Sequence, residues 1–317
     1  MGARPTTIAR VSHHEKPPAP SLSARTRPAY GPRSRLRTAA LGAALAAASC
    51  TLAGCHGIGT ASHAAGTGDP QAHAATPSAA KPSAKPTATA TARPLAGKIV
   101  AIDPGHNPDN HLHTAQINKQ VAVGNGHKEC DTTGTSTNSG YPEARFTLDV
   151  AHRLRTLLER QGATVKLTHD GDSPPWGPCV DERARIGNTA RADAAVSIHA
   201  DGSAQGNRGF HVILPASVHA GGADTRPIAG PSEDLGTRIA GRFLRLTGEP
   251  PSNYVGDGTG LVTRKDLGGL NLSTVPKVFI ECGNMRDTKD AALLTSGAWR
   301  QKAAQGISEG IVSFLRG

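Results

Sequence analysis

Short apolar runs alternate with longer segments of helical periodicity over the last two thirds of the chain. Six apolar runs predict buried strands, at 98–102, 164–168, 194–198, 209–214, 260–263 and 277–281. Apolar residues at helical spacing predict the main helices, at 144–160, 182–191, 232–247 and 298–315. This alternation predicts a single α/β domain over 95–317, with a mixed, mostly parallel sheet of about six strands and helices on both faces.

The helix predicted over 144–160 has the clearest apolar stripe. Phe146, Val150 and Leu154 follow one another at intervals of four residues, which places them on one face. Glu143 stands three residues before Phe146, so it shares the inward-facing stripe at the start of the helix. A helix that follows a strand begins at the carboxyl edge of the sheet or runs back from that edge. Glu143, at the start of this helix, is therefore expected near the carboxyl edge.

The segment at 107–142 fits neither pattern. It is long, polar and rich in Asn, Thr and Gly. Loops of this length are usually functional or disordered. We expect this segment either to line a site or to lie over it.

The first third of the chain has the pattern of an export signal. Arg33, Arg35 and Arg37 precede an uncharged, Ala- and Leu-rich stretch from Thr38 to Gly54. The stretch ends in Leu52-Ala53-Gly54-Cys55, which resembles the lipobox of bacterial lipoproteins. That resemblance implies cleavage before Cys55, lipidation of its thiol and anchoring of the exported protein to the outer face of the cell membrane. Ordinary cleavage and an uncleaved anchor remain the alternatives.

Composition divides the chain into three parts, at 1–54, 55–94 and 95–317. The first is an N-terminal extension with the signal, and the second is an Ala/Thr/Pro linker with too few large apolar residues to fold. The formal net charge is +10, but residues 1–94 hold 11 of the 35 basic and only 2 of the 25 acidic residues. The domain over 95–317 is therefore nearly neutral, and we expect a monomer without a nucleic-acid partner.

Three cysteines belong to the predicted domain. Cys130 and Cys179 both lie in polar loop sequence, and export permits disulfides, so we expect these two to pair. Cys282 lies in an apolar strand and is expected to be a buried free thiol.

Four residues with metal-binding or acid–base side chains are expected at one edge of the sheet. His106 follows the first predicted strand, His199 ends the third, Glu281 ends the last, and Glu143 starts a helix. Ligands of open α/β sheets bind beyond the carboxyl ends of the strands. Two imidazoles and one carboxylate form a common catalytic zinc site, and a further carboxylate can serve as general base.

These residues lie in motifs that resemble those of the zinc-dependent N-acetylmuramoyl-L-alanine amidases of the Amidase_3 family. The resemblance covers 96–317 in order, through Asp103-Pro104-Gly105-His106, Glu143, Ser197-Ile198-His199-Ala200-Asp201 and Val278-Phe279-Ile280-Glu281-Cys282-Gly283-Asn284. It implies that His106, Glu143 and His199 bind Zn²⁺, that Glu281 is the catalytic base, and that Arg264 lies near the substrate groove. It also implies cleavage of the amide between muramic acid and L-Ala in peptidoglycan.

Two other functions remain compatible with the sequence. One is a wall-binding lipoprotein on the same fold that is non-catalytic or inhibited by the 107–142 segment. The other is a zinc hydrolase that cuts a peptide or an N-acetyl group instead. The presence of all four expected residues favours the amidase over a fold that has lost its metal site.

Overall fold

The computed structural model describes residues 93–317. The predicted signal, Cys55 and most of the predicted linker lie outside the described residues. The strands are β1 Ile99–Pro104, β2 Gln120–Ala122, β3 His127–Glu129, β4 Thr164–Leu167, β5 Ala194–Asp201, β6 His211–Pro215, β7 His219–Ala220, β8 Ala223–Asp224, β9 Leu261–Arg264 and β10 Lys277–Asn284. The helices are α1 Thr114–Ile117, α2 Glu143–Arg160, α3 Val180–Thr189, α4 Arg226–Thr247, α5 Gly268–Asn271, α6 Thr288–Leu294 and α7 Gly297–Leu315.

Six strands form the central sheet, in the order β4-β1-β5-β10-β6-β9. The first four are parallel to one another. Strand β6 is antiparallel to β10, and β9 is parallel to β6. The predicted mixed, mostly parallel sheet is thus confirmed, and each of the six predicted strands corresponds to one of its members.

The main hydrophobic core lies between one face of the sheet and helices α2, α4 and α7. Alternate side chains of each strand point into it, because successive residues of a strand face opposite sides. Val100 and Ile102 of β1 and Val196 and Ile198 of β5 are fully buried there, against the apolar stripe of α2 that includes Phe146.

The opposite face of the sheet carries the polar residues. Helices α3 and α5 cover it, which confirms helices on both faces. Side chains at the intervening positions of these strands point to this face. Near the carboxyl edge they are Asp103 of β1, Ser197 and His199 of β5, and Glu281 of β10. The crossover from β1 to the parallel β4 includes α2, so α2 begins at that edge and brings Glu143 to it.

One sequence expectation needs correction. Helix α4 begins at Arg226 and not at 232, because Pro227 occupies the first turn, where a missing N–H is no loss, and Pro231 is accommodated inside the helix. The 107–142 segment is ordered, with a 3-10 turn at Asn110–Leu112, helix α1 and the β2–β3 hairpin.

Side-chain hydrogen bonds and a disulfide hold this segment. Buried Asn110 donates to the Thr132 carbonyl at 2.7 Å and accepts from the Gly177 N–H at 2.8 Å. Hydrogen bonds of this kind use polar side chains at irregular spacing, so they produce no apolar periodicity in the sequence. Within residues 93–317, no helix has the length and apolar character needed to cross a membrane.

Candidate metal centre

The turn after β1 positions His106 in a left-handed conformation, with φ of 61°. This region is rare for residues other than glycine and indicates local strain. Neighbouring Gly105 makes room for the second imidazole, because a Cβ at that position would overlap the ring of His199. The rings of His106 and His199 meet edge to face, with centroids 5.0 Å apart.

The Glu143 carboxylate lies between the two imidazoles. Its Oε2 is 3.1 Å from His106 Nε2, and its Oε1 is 3.0 Å from His199 Nδ1. Backbone N–H groups of Thr135 and Ala200 also donate to the carboxylate, at 2.9 and 3.2 Å. The three side chains therefore offer ligand atoms that all lie within 4.8 Å of one another.

Charge at this cluster favours a cation. Burial works against protonation of His106, but the carboxylates of Glu143 and Asp131 outweigh it and raise the pKa of the imidazole well above its ordinary value. Burial likewise opposes the charge of Glu143, yet His106 and His199 hold the pKa of its carboxyl well below its usual range. A negative carboxylate with two converging imidazoles fits a divalent metal ion that takes nitrogen and oxygen ligands.

Glu281 lies beside these three residues and is partly buried. It pairs in register with His199 of β5 and with His211 of β6. Its Oε2 is buried and accepts no hydrogen bond from the described residues. Burial, then the charges of Glu143 and Asp201, raise the pKa of its carboxyl well above its ordinary value. A carboxylate with this environment is suited to accept a proton.

Two open spaces flank the metal-ligand candidates. A cavity of about 250 Å³ is lined by His106, His199 and Phe279, whose ring stacks on His199 at 5.2 Å. A wider groove of about 610 Å³ is lined by the stretch Thr133–Ser136, which also supplies the Thr135 N–H to Glu143. The 107–142 segment thus forms walls of both spaces.

Arg264 lies at the end of β9 and is half-exposed. It makes a two-pronged ion pair with Asp266, with distances of 2.9 and 2.7 Å. Asp266 also accepts from Lys128, a wall residue of the smaller cavity, at 3.0 Å. The positive charge of Arg264 acts on Glu281, where it lowers the pKa of the carboxyl against the larger effect of burial.

The expected disulfide is present between Cys130 and Cys179. It joins the end of the β2–β3 hairpin to the start of α3, where the Val180 N–H also donates to the Cys130 carbonyl at 2.7 Å. Cys282 is a buried free thiol, as expected.

Sequence reasoning missed Arg183 and the position of His211. Arg183 of α3 is buried beneath His106 and pairs with Asp103 and Asp131, both at 2.8 Å. His211 lies across from Glu281, and its buried Nδ1 has no hydrogen-bond partner among the described residues. A buried arginine and a solvated one look the same in a helical sequence, so nothing in the pattern marks Arg183.

A family model and several known proteins of similar sequence are described as N-acetylmuramoyl-L-alanine amidases. Residues 100–313 match the Amidase_3 family, described as N-acetylmuramoyl-L-alanine amidase. The N-acetylmuramoyl-L-alanine amidase Rv3717 of Mycobacterium tuberculosis is 43% identical over 234 residues, which cover 72% of this chain and 91% of that protein.

Solved structures agree with this match. The crystal structure of the N-acetylmuramyl-L-alanine amidase Ami1 from Mycobacterium smegmatis has a TM-score of 0.63 and 41% identity, over 70% of this chain and 98% of that one. Ami1 from Mycobacterium abscessus also has a TM-score of 0.63, with 40% identity over 70% of this chain and all of that one. The chain belongs to the Amidase_3 family of N-acetylmuramoyl-L-alanine amidases.

Proposed function

We propose that this protein hydrolyses peptidoglycan as a zinc-dependent amidase, at the amide between the lactyl group of N-acetylmuramic acid and L-Ala of the stem peptide. The observation that carries the proposal is the convergence of His106, Glu143 and His199 beside a buried Glu281 carboxylate with a free oxygen. Family membership supports the reaction class and the substrate.

The donor set fits zinc, which takes two imidazoles and one carboxylate in many hydrolases. His106 would bind it through Nε2, His199 through Nδ1 and Glu143 through its carboxylate, the atoms that already face one another. When bound, zinc supplies Lewis acidity that brings the pKa of water toward neutrality and polarises a carbonyl.

Glu281 moves the proton in this proposal. Its free Oε2 accepts a proton from the attacking water and then delivers it to the leaving amide nitrogen. The raised pKa of this carboxyl favours the first step, because a stronger base takes up the proton of the attacking water more readily. Phe279 stacks on His199 and limits rotation of that imidazole.

The amidase explains the site better than a wall-binding protein does. All four expected side chains are present among residues 93–317, and an open cavity is lined by two of them, His106 and His199. No feature of this part of the chain favours a non-catalytic role.

The proposal places the enzyme outside the cytoplasm, where its substrate lies. The predicted signal over 1–54, with Cys55 as lipid site, and the predicted linker over 55–94 support attachment to the outer face of the cell membrane. We further propose that the domain over 95–317 acts as a monomer, since each of the four site residues comes from the same chain.

Mass spectrometry of digested cell wall tests the reaction. Purified sacculi are incubated with residues 56–317 and Zn²⁺, and with a matched sample treated with a chelator. We expect new stem peptides with a free N-terminal L-Ala and glycans with a free lactyl carboxyl, only in the zinc sample. New peptide ends within the stem, or deacetylated sugars, would assign the enzyme to another bond.

A further inference from the structure

We propose that Arg183 is a positioning residue for the metal ligand His106, and that it sets the affinity of the centre for its metal. The proposal rests on the metal site of the proposed function but not on the bond that the enzyme cuts. Arg183 belongs to α3, whose first turn is joined through Cys179 to the 107–142 segment.

Arg183 holds the backbone on both sides of Gly105. Its Nη1 donates to the Pro104 carbonyl at 2.6 Å, and its Nη2 donates to the His106 carbonyl at 3.0 Å. The carbonyl between them, that of Gly105, accepts from Thr147 Oγ1 at 2.7 Å. A left-handed conformation at a residue such as His106 is strained and persists only where its surroundings fix it. These bonds supply that restraint.

Arg183 also holds the group that orients the imidazole. Its Nη2 binds Asp131 Oδ2 at 2.8 Å, and the other Asp131 oxygen accepts from the Thr132 N–H at 2.8 Å. The Thr132 carbonyl is 3.1 Å from His106 Nδ1. When the imidazole carries its proton on Nδ1 and donates it in a hydrogen bond to this carbonyl, Nε2 has no proton. The lone pair of Nε2 is then available to bind a metal.

Only a guanidinium group can both hold the backbone around Gly105 and bind Asp131 in this geometry. Nε donates to the Pro178 carbonyl at 2.8 Å, while Nη1 reaches Asp103 Oδ1 at 2.8 Å in addition to Pro104. All three nitrogens are therefore in use, in a side chain that is only 5% exposed. A lysine keeps the charge but has a single nitrogen, so it cannot hold the turn, Asp131 and the α3 start together.

The test measures metal affinity in the absence of substrate. Arg183→Lys is expected to weaken Zn²⁺ binding by about 10–100-fold in chelator competition, the usual effect of losing a partner of a metal ligand. The d–d absorption spectrum of the Co²⁺-loaded protein should shift, because His106 is no longer held in one orientation. Arg185→Lys is the matched control, since Arg185 lies on the same helix, is 66% exposed and, among the described residues, forms an ion pair only with Glu182. That variant should bind Zn²⁺ like the wild type.

Two further variants separate positioning from stability. Leu154→Ala removes a fully buried side chain from the core on the other face of the sheet and should lower the urea midpoint of unfolding without changing zinc affinity. Asp131→Asn retains the shape of the side chain but weakens its ion pair with Arg183, and it should also reduce zinc affinity. This variant provides the test if Arg183→Lys does not fold. The proposal is overturned if Arg183→Lys and Asp131→Asn bind zinc as tightly as the wild type does. It is also overturned if Leu154→Ala loses as much zinc affinity as these variants do. Retention of zinc in His106→Ala would instead refute the metal site itself.

Discussion

Gly105 allows the two imidazoles of the candidate metal centre to approach each other. Its backbone is not left-handed, so alanine is compatible with its conformation, but the new Cβ would overlap the His199 ring. We predict that Gly105→Ala folds with displaced His199 and binds Zn²⁺ at least about 10-fold more weakly. Chelator competition measures this.

Gly187 provides a matched control, because alanine at this position should not weaken zinc binding. Gly187 lies inside α3, and an added Cβ would meet only Ala101 Cβ at 3.6 Å, an ordinary contact. Gly187→Ala should therefore leave zinc binding unchanged and raise stability by about 0.5–1 kcal/mol. Unchanged zinc affinity in Gly105→Ala would show that His199 is not held in the position described above.

Glu281 should separate binding from chemistry. Glu281→Gln retains the size of the side chain but cannot accept a proton at neutral pH. We predict near-normal zinc content and a loss of at least about 100-fold in the rate of sacculus hydrolysis, the low end for general acid–base catalysis. Loss of zinc in this variant would make Glu281 a ligand, and an unchanged rate would mean that another group is the base.

Glu249 should make the stability of the protein depend on pH. It follows α4, is buried, and contacts Arg208 at 2.9 Å, while its Oε2 has no partner among the described residues. Burial, followed by the nearby Asp290 carboxylate, raises its pKa to about 7. The folded state thus binds this proton more tightly than the unfolded state does. The stabilisation is complete below the ordinary Glu pKa and is lost as pH rises through about 7.

Comparison of variants isolates this effect. A single proton changes the free energy of unfolding by at most about 1.4 kcal/mol per pH unit. Glu249→Gln should flatten the fall in stability between about pH 5 and 8, measured by urea denaturation. Glu233→Gln, an exposed position on α4, should retain the wild-type slope. Parallel curves for wild type and Glu249→Gln would exclude this carboxyl as the source.

At the scale of elements, the Cys130–Cys179 disulfide determines how firmly the 107–142 segment is attached to α3. The two cysteines are 49 residues apart, so closing the loop contributes about 4 kcal/mol in the chain-entropy model. We predict that the Cys130→Ala/Cys179→Ala double variant is destabilised by up to that amount in denaturant unfolding. A reducing agent should destabilise the wild type similarly and leave the double variant unaffected. Equal stability of wild type and variant would show that packing alone holds the segment.

Elements with apolar periodicity could be predicted from the sequence, and those held by polar contacts could not. Strand β5 alternates buried apolar residues with Ser197 and His199, so both the strand and the position of His199 follow from the pattern. Asn110 is buried by hydrogen bonds to backbone groups, which leave no repeating signal. Arg183 and Arg185 are two residues apart in one helix, and only the tertiary structure shows that the first binds two buried carboxylates.

At the scale of the whole molecule, the predicted linker limits how far the enzyme acts from the membrane. Residues 56–94 would span about 35 Å as a flexible coil and roughly 120 Å as an extended polyproline helix. The near neutrality of residues 95–317 means that charge attraction to an anionic membrane contributes little. We therefore predict that any attachment to the membrane depends on the lipid proposed at Cys55.

One cysteine within the predicted signal and one directly after it permit a matched test of that anchor. Cys55 ends the lipobox-like Leu52-Ala53-Gly54-Cys55, whereas Cys50 lies five residues earlier in the apolar stretch. We predict that Cys55→Ala abolishes labelling by a radioactive fatty acid and either releases the protein into the medium or leaves it unprocessed. Cys50→Ala should be labelled, processed and bound to membranes like the wild type, because it retains the cleavage site. Membrane binding of a normally processed Cys55→Ala protein would show that something other than this thiol anchors the enzyme, since a near-neutral domain on a polar linker has little other attraction to a bilayer.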